Sequence, residues 1–81
     1  MTKKITDLTE DELHILIGSN VAKLRKKANL SQLALSLEIG NKSPSLISSA
    51  EIYTNKRHFN ISQLQKIAKV LDIDICEFFK I

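Results

Sequence analysis

Side chains able to do covalent or metal chemistry are few in this chain and scattered along it. Cys76 is the single cysteine, so no intramolecular disulfide can form, and with only His14 and His58 beside it a zinc site lacks ligands. No paired carboxylates and no nucleophile beside a base can be assembled, so no catalytic residue, cofactor or metal is expected. The cations are more informative. Between residues 13 and 71, Lys23, Arg25, Lys26, Lys27, Lys42, Lys56, Arg57, Lys66 and Lys69 stand against Glu38 and Glu51, nine minus two or +7, in a chain whose total is +3. Each cation set beside a phosphate releases condensed counterions, so such a body favours a polyanion; a solvated basic face is the plainer reading. The other acids lie towards the two ends, where carboxylates also suit helix N-termini.

A second set is defined by size and spacing: Gln32, Ser36, Gly40, Ile47 and Ala50. In a pair of short helices joined by a tight turn, Ser36 is small where the backbones cross and Gly40 permits the turn. Ile47 and Ala50 hold the second helix to the core. The outer side of that helix is then free, and a major groove about 12 Å wide admits one helix. Residues near its N-terminus reach base edges: Ser43, Pro44, Ser45, Leu46, Ser48 and Ser49.

These residues need helices to carry them. Thr9 and Glu12 form a capping box before Leu13, Ile17, Val21, Leu24 and Ala28, a stripe that predicts a long first helix to about Asn29. Ser31 caps a short second helix that Gly40 stops, although the alternation of Leu33, Leu35, Leu37 and Ile39 also suits a strand. Ser43 as N-cap and Pro44 as first helical residue open a third helix over residues 43–51. Residues 52–59 have no period and read as a loop. Asn60 with Gln63 opens a fourth helix carrying Ile61, Leu64, Ile67, Ala68 and Leu71, and Asp74 with Glu77 opens a short fifth.

At 81 residues, with 43% hydrophobic and 26% charged side chains, the chain makes one small globular domain. Residues 1–8 are read as a flexible arm and 9–81 as the domain, its bihelical unit about 31–51. Two glycines and one proline are too few for a small barrel or sandwich, so the fold is expected to be all-α. No run of about 18 apolar residues suggests a membrane span, and the lone cysteine suits a reducing cytoplasm.

In ordered pieces, residues 13–79 resemble the phage-repressor-like, XRE/Cro-type helix-turn-helix family. Ile17-Gly18, Val21 and Leu24-Arg25 are similar to its first helix, Leu30-Ser31-Gln32 with Leu35-Ser36 and Gly40 to its second, and Ile47-Ser48 with Glu51 to its third. Leu64, Lys66-Ile67-Ala68-Lys69 and Leu71, then Glu77-Phe78-Phe79, are similar to its last two. The resemblance implies a compact five-helix bundle of the lambda-repressor-like type. It implies a sequence-specific double-stranded DNA-binding regulator, most simply a repressor, that acts as a homodimer on a palindromic operator. It places Gln32 on a phosphate and pairs Arg25 with Glu51.

The chain departs from that pattern in three places. One extra residue falls at Asn41-Lys42 in the turn. The third helix offers Pro44, Ser45, Leu46, Ser48 and Ser49, none able to pair bidentately with a base, so specificity would lean on DNA shape. The loop after Glu51 lacks the usual glycine and is about two residues longer. Its Asn55, Lys56, Arg57 and His58 are candidates, with Lys42, for phosphate contacts, or else a solvated loop. Elsewhere His14 is read as exposed and Cys76 as a small buried hydrophobe. Phe78, Phe79 and Ile81 are a possible dimer seam. Leu33 and Leu37 either pack on the start of the first helix or mark an interface. That interface keeps a second function open, a protein-interaction module or antitoxin-like partner protein with weak DNA readout.

Overall fold

The computed structural model describes residues 3–81. Four α-helices, α1 (Glu10–Lys27), α2 (Gln32–Glu38), α3 (Ser45–Glu51) and α4 (Ile61–Leu71), are joined by turns and three short 3-10 helices, Ile5–Asp7, Thr54–Lys56 and Ile75–Phe79. The class is all-α, and no strand occurs among the described residues. Of the N-terminal arm, Met1 and Thr2 lie outside the described residues.

The N-terminal signals act as their chemistry requires. Thr9 Oγ1 accepts from the Glu12 amide at 3.1 Å while Glu12 Oε1 accepts from the Thr9 amide at 2.9 Å. Asn60 and Gln63 repeat the exchange at 2.7 and 2.8 Å, and Ser31 Oγ accepts from the Ala34 amide at 3.0 Å. Three helices stop in a common way. The residues after α1, α2 and α4 that turn left-handed are Asn29, Gly40 and Asp72, with φ of 60°, 91° and 55°. The next amide in each case reaches back to a last-turn carbonyl: Leu30 to Arg25 at 3.1 Å, Asn41 to Ser36 at 2.8 Å, Ile73 to Ala68 at 3.0 Å.

Two expectations change in detail. Regular α3 begins at Ser45, not Pro44, yet Pro44 already has helical dihedrals (φ −77°, ψ −1°) and Ser43 Oγ accepts from the Ser45 amide at 3.1 Å. Pro44 is thus the N-cap in place of Ser43, whose hydroxyl still serves the Ser45 amide from one residue earlier. The fifth helix is a 3-10 helix. Asp74 accepts from the Cys76 amide, but Glu77 turns to Lys80 Nζ at 2.7 Å instead of returning to the cap. A three-residue turn aligns Ile75 with Phe78, which is fully buried, and leaves Cys76 exposed. Cys76 is thus not the buried hydrophobe expected of it, and Phe78 belongs to the core, so no seam can use it.

α1 packs on α3 and on the C-terminal 3-10 helix, while α2 packs on α3 and α4. The buried core joins Ile17 and Val21 of α1, Leu35 of α2, Ile47 and Ala50 of α3, Leu64, Ile67 and Ala68 of α4, and Phe59 and Phe78. Asn20, buried on α1, donates from Nδ2 to the carbonyls of Phe78 and Lys80, each at 2.8 Å, and so ties the chain's end to the central helix. Gly18 marks a close approach of α1 to the α3 backbone. A Cβ there would lie 2.5 Å from the Ala50 carbonyl oxygen and 2.7 Å from that of Glu51.

Candidate nucleic-acid interface

Seven residues make a helix too short to hold its own pose, so α3 depends on its neighbours. One side is sealed by Ile47 and Ala50, both fully buried. Its C-terminal end is locked through Glu51, which is 6% exposed. Glu51 Oε2 accepts from Arg25 Nε at 2.7 Å, and Oε1 accepts from Arg25 Nη2 at 3.1 Å and Gln32 Nε2 at 2.9 Å. Arg25 Nη1 donates to the Leu30 carbonyl at 2.8 Å. The expected Arg25–Glu51 pair is present. Gln32 joins it, so its amide serves the lock between α1, α2 and α3 with one of the two N–H donors that such a group has.

The other side of α3 faces outward. Ser45 is exposed, and Leu46, Ser48 and Ser49 are half-buried. Glu51 is the helix's only carboxylate and is buried, so the outward side carries no negative charge of its own. Lys42, Ser43 and Pro44 are exposed at its leading end, where a recess of about 310 Å³ is lined by Asn41, Lys42, Ser43, Ser45 and Leu46. The serines have local partners. Ser43 Oγ donates to Ser45 Oγ at 3.1 Å and Ser48 Oγ to the Ser45 carbonyl at 3.2 Å.

Asn55, Lys56, Arg57 and His58 are all exposed on the loop that follows α3. The loop is not a free coil. Tyr53, Asn55 and Lys56 take left-handed backbone (φ 58°, 53° and 61°), and Tyr53 Oη donates to Asp11 Oδ1 at 2.6 Å. The His14 ring stacks on His58, centroids 3.9 Å apart, and on Tyr53 at 5.7 Å, both at 22° between planes. His14 is therefore half-buried and not the exposed residue expected. Burial and His58 push its pKa below the ordinary 6.5 against the pull of Glu10 and Asp11. The bond to Asp11 pushes the Tyr53 phenol up to about 12. Leu33 and Leu37 are 47% and 57% exposed on α2.

Among known families, the model described as "Helix-turn-helix" matches residues 21–78. The chain belongs to this HTH_3 helix-turn-helix family. It has the fold of the family's DNA-binding domains in transcription regulation and is not an enzyme. Among solved structures, the restriction-modification controller protein C.AhdI from Aeromonas hydrophila is 28% identical, with a TM-score of 0.70 over 80% of this chain and 94% of its own. An HTH_3 family transcriptional regulator from Vibrio cholerae is 27% identical, with a TM-score of 0.74 over 88% of this chain and 38% of its own. No curated protein matches. Within this HTH_3 fold, Gly18, Asn20, Asp11 and Tyr53 escaped the sequence reading as positioning residues. Only Gly18, a glycine inside an apolar helical stripe, carried a signal that could have exposed its role.

Proposed function

We propose that this domain is a small transcriptional regulator, a repressor, that binds double-stranded DNA with α3 in the major groove. The observation that carries the reading is the lock at Glu51, which fixes a short helix whose outward side is polar and free of carboxylates. Ser43, Pro44, Ser45, Leu46, Ser48 and Ser49 face the groove. Gln32, Lys42, Asn55, Lys56, Arg57 and His58 lie on phosphates. Residues 9–81 form the binding domain and 1–8 its arm. Serine hydroxyls serve bases and phosphates alike, so specificity rests largely on DNA shape. Two copies on a palindrome would read half-sites about 34 Å apart.

Selection of bound sequences from random DNA tests this directly, and an enriched palindrome is the expected result. The double variant Lys56→Ala/Arg57→Ala should weaken binding to all sequences and reduce the slope of log affinity against log salt by about 2. Ser45→Ala should instead alter sequence preference. Retention on DNA unchanged by both removes the reading. The exposure of Leu33 and Leu37, four residues apart on α2, favours a second reading in which that face docks a protein. Leu33→Glu/Leu37→Glu would then abolish a complex without unfolding the domain.

A further inference from the structure

We infer that His14 is a positioning residue for the DNA-contacting loop, and that protonation of its ring, stacked on His58, releases the loop and weakens its hold on DNA. The inference deepens the proposed function and rests on it for the DNA contact alone.

The loop is held in a shape that its backbone resists. Left-handed dihedrals at three non-glycine residues, Tyr53, Asn55 and Lys56, are disfavoured for side chains with a Cβ, and such strain persists only where surroundings over-determine it. The 3-10 turn Thr54–Lys56 contributes no buried residue. Phe59, 4% exposed, anchors one end. The remaining hold comes from α1: Tyr53 bonded to Asp11, and the His14 ring set against Tyr53 and His58. His14 Nδ1 is buried with no hydrogen-bond partner among the described residues, so that nitrogen adds no bond to the stacking contact.

That arrangement suits a neutral His14 ring. The Lys56 carbonyl accepts from His58 Nδ1 at 3.0 Å, which keeps that ring turned along the loop. Two imidazolium rings with centroids 3.9 Å apart would repel each other. The charged and titratable groups around His14 are Glu10 and Asp11 on α1 and Tyr53 and His58 on the loop, with Lys56 and Arg57 exposed beside them. The two carboxylates favour a cation there, but burial and His58 outweigh them. A group with a lowered pKa in the docked state binds protons more readily once undocked, so acid below about pH 6.5 drives release.

Tyr53 is the only tyrosine and there is no tryptophan, so intrinsic emission reports on this loop without a label. The experiment follows emission from about pH 8 to about 5 without DNA. In parallel it measures affinity for a random-sequence duplex at low salt near pH 7.5 and 5.5. Wild type should show an emission transition below about pH 6.5 with helical circular dichroism intact, and lose roughly three- to tenfold in affinity. His14→Phe keeps an aromatic ring in the stack that cannot be protonated at this position, and should abolish both responses at unchanged neutral affinity. His14→Ala should show undocked emission throughout and weakened binding at neutral pH. A His14→Phe profile that titrates like wild type overturns the inference. So does affinity that rises in acid. An emission transition in a protein that binds no DNA supports the docking by His14 and overturns the proposed function instead.

Discussion

Arg25 and Glu51 are each 6% exposed, and every hydrogen bond of their carboxylate and guanidinium described above is satisfied inside the protein. Removing one charge from such a pair strands the other, so Arg25→Ala should destabilise the domain by about 3–5 kcal/mol, read as a lower urea midpoint. Changing both residues to apolar ones of similar volume should cost less than either single change, because the attraction mostly repays desolvation. The two should nevertheless differ from wild type in DNA binding, since α3 loses the bond that sets its pose. Tyr53 offers a second check on single residues. Its phenol bonds to Asp11 and its pKa is pushed up to about 12, so Asp11→Asn should bring it back towards 10, seen as tyrosinate absorbance appearing at lower pH. The neutral phenol is favoured by the fold, so this contribution is complete below about pH 10 and is lost as pH rises towards about 12.

At the scale of elements, α1, α2 and α4 end in the same left-handed turn, but only α2 does so with glycine. A Cβ at Gly40 would meet nothing within 4 Å, so Gly40→Ala isolates the backbone penalty of φ 91°. The expected loss is about 1 kcal/mol, a fall in thermal midpoint of roughly 4–8 °C. Gly40→Asn should cost less, as Asn29 and Asp72 show that short polar side chains accept this conformation here. Helix starts were legible in the sequence because Thr9, Ser31, Ser43 and Asn60 act on amides two or three residues away. The fifth helix was legible only as a helical turn: whether Glu77 returns to its cap or turns to Lys80 is a choice that local sequence leaves open.

For the whole molecule, the helical body encloses one core around α1, and its stability should follow pH in two stages. His14 has a lowered pKa, so stability declines as pH falls below about 6.5. Glu12 and Asp74, held below 4.5 and 3.8 mainly by backbone amides at their helix starts, keep their contribution above those values and lose it as pH falls further. Thermal midpoints measured across pH should show both stages, and His14→Phe should erase only the upper one. The sequence by itself determined the all-α class, the order of the main helices, Gly40 as the turn and the outward residues of α3, because caps, stops and apolar spacing act within one or two turns of chain. Only the tertiary structure decided that Gln32 turns to Glu51, that Phe78 is core while Cys76 is exposed, and that His14 packs against Tyr53 and His58. Those outcomes depend on side chains brought together from far along the chain, where no local rule fixes which partner a donor or a ring will meet.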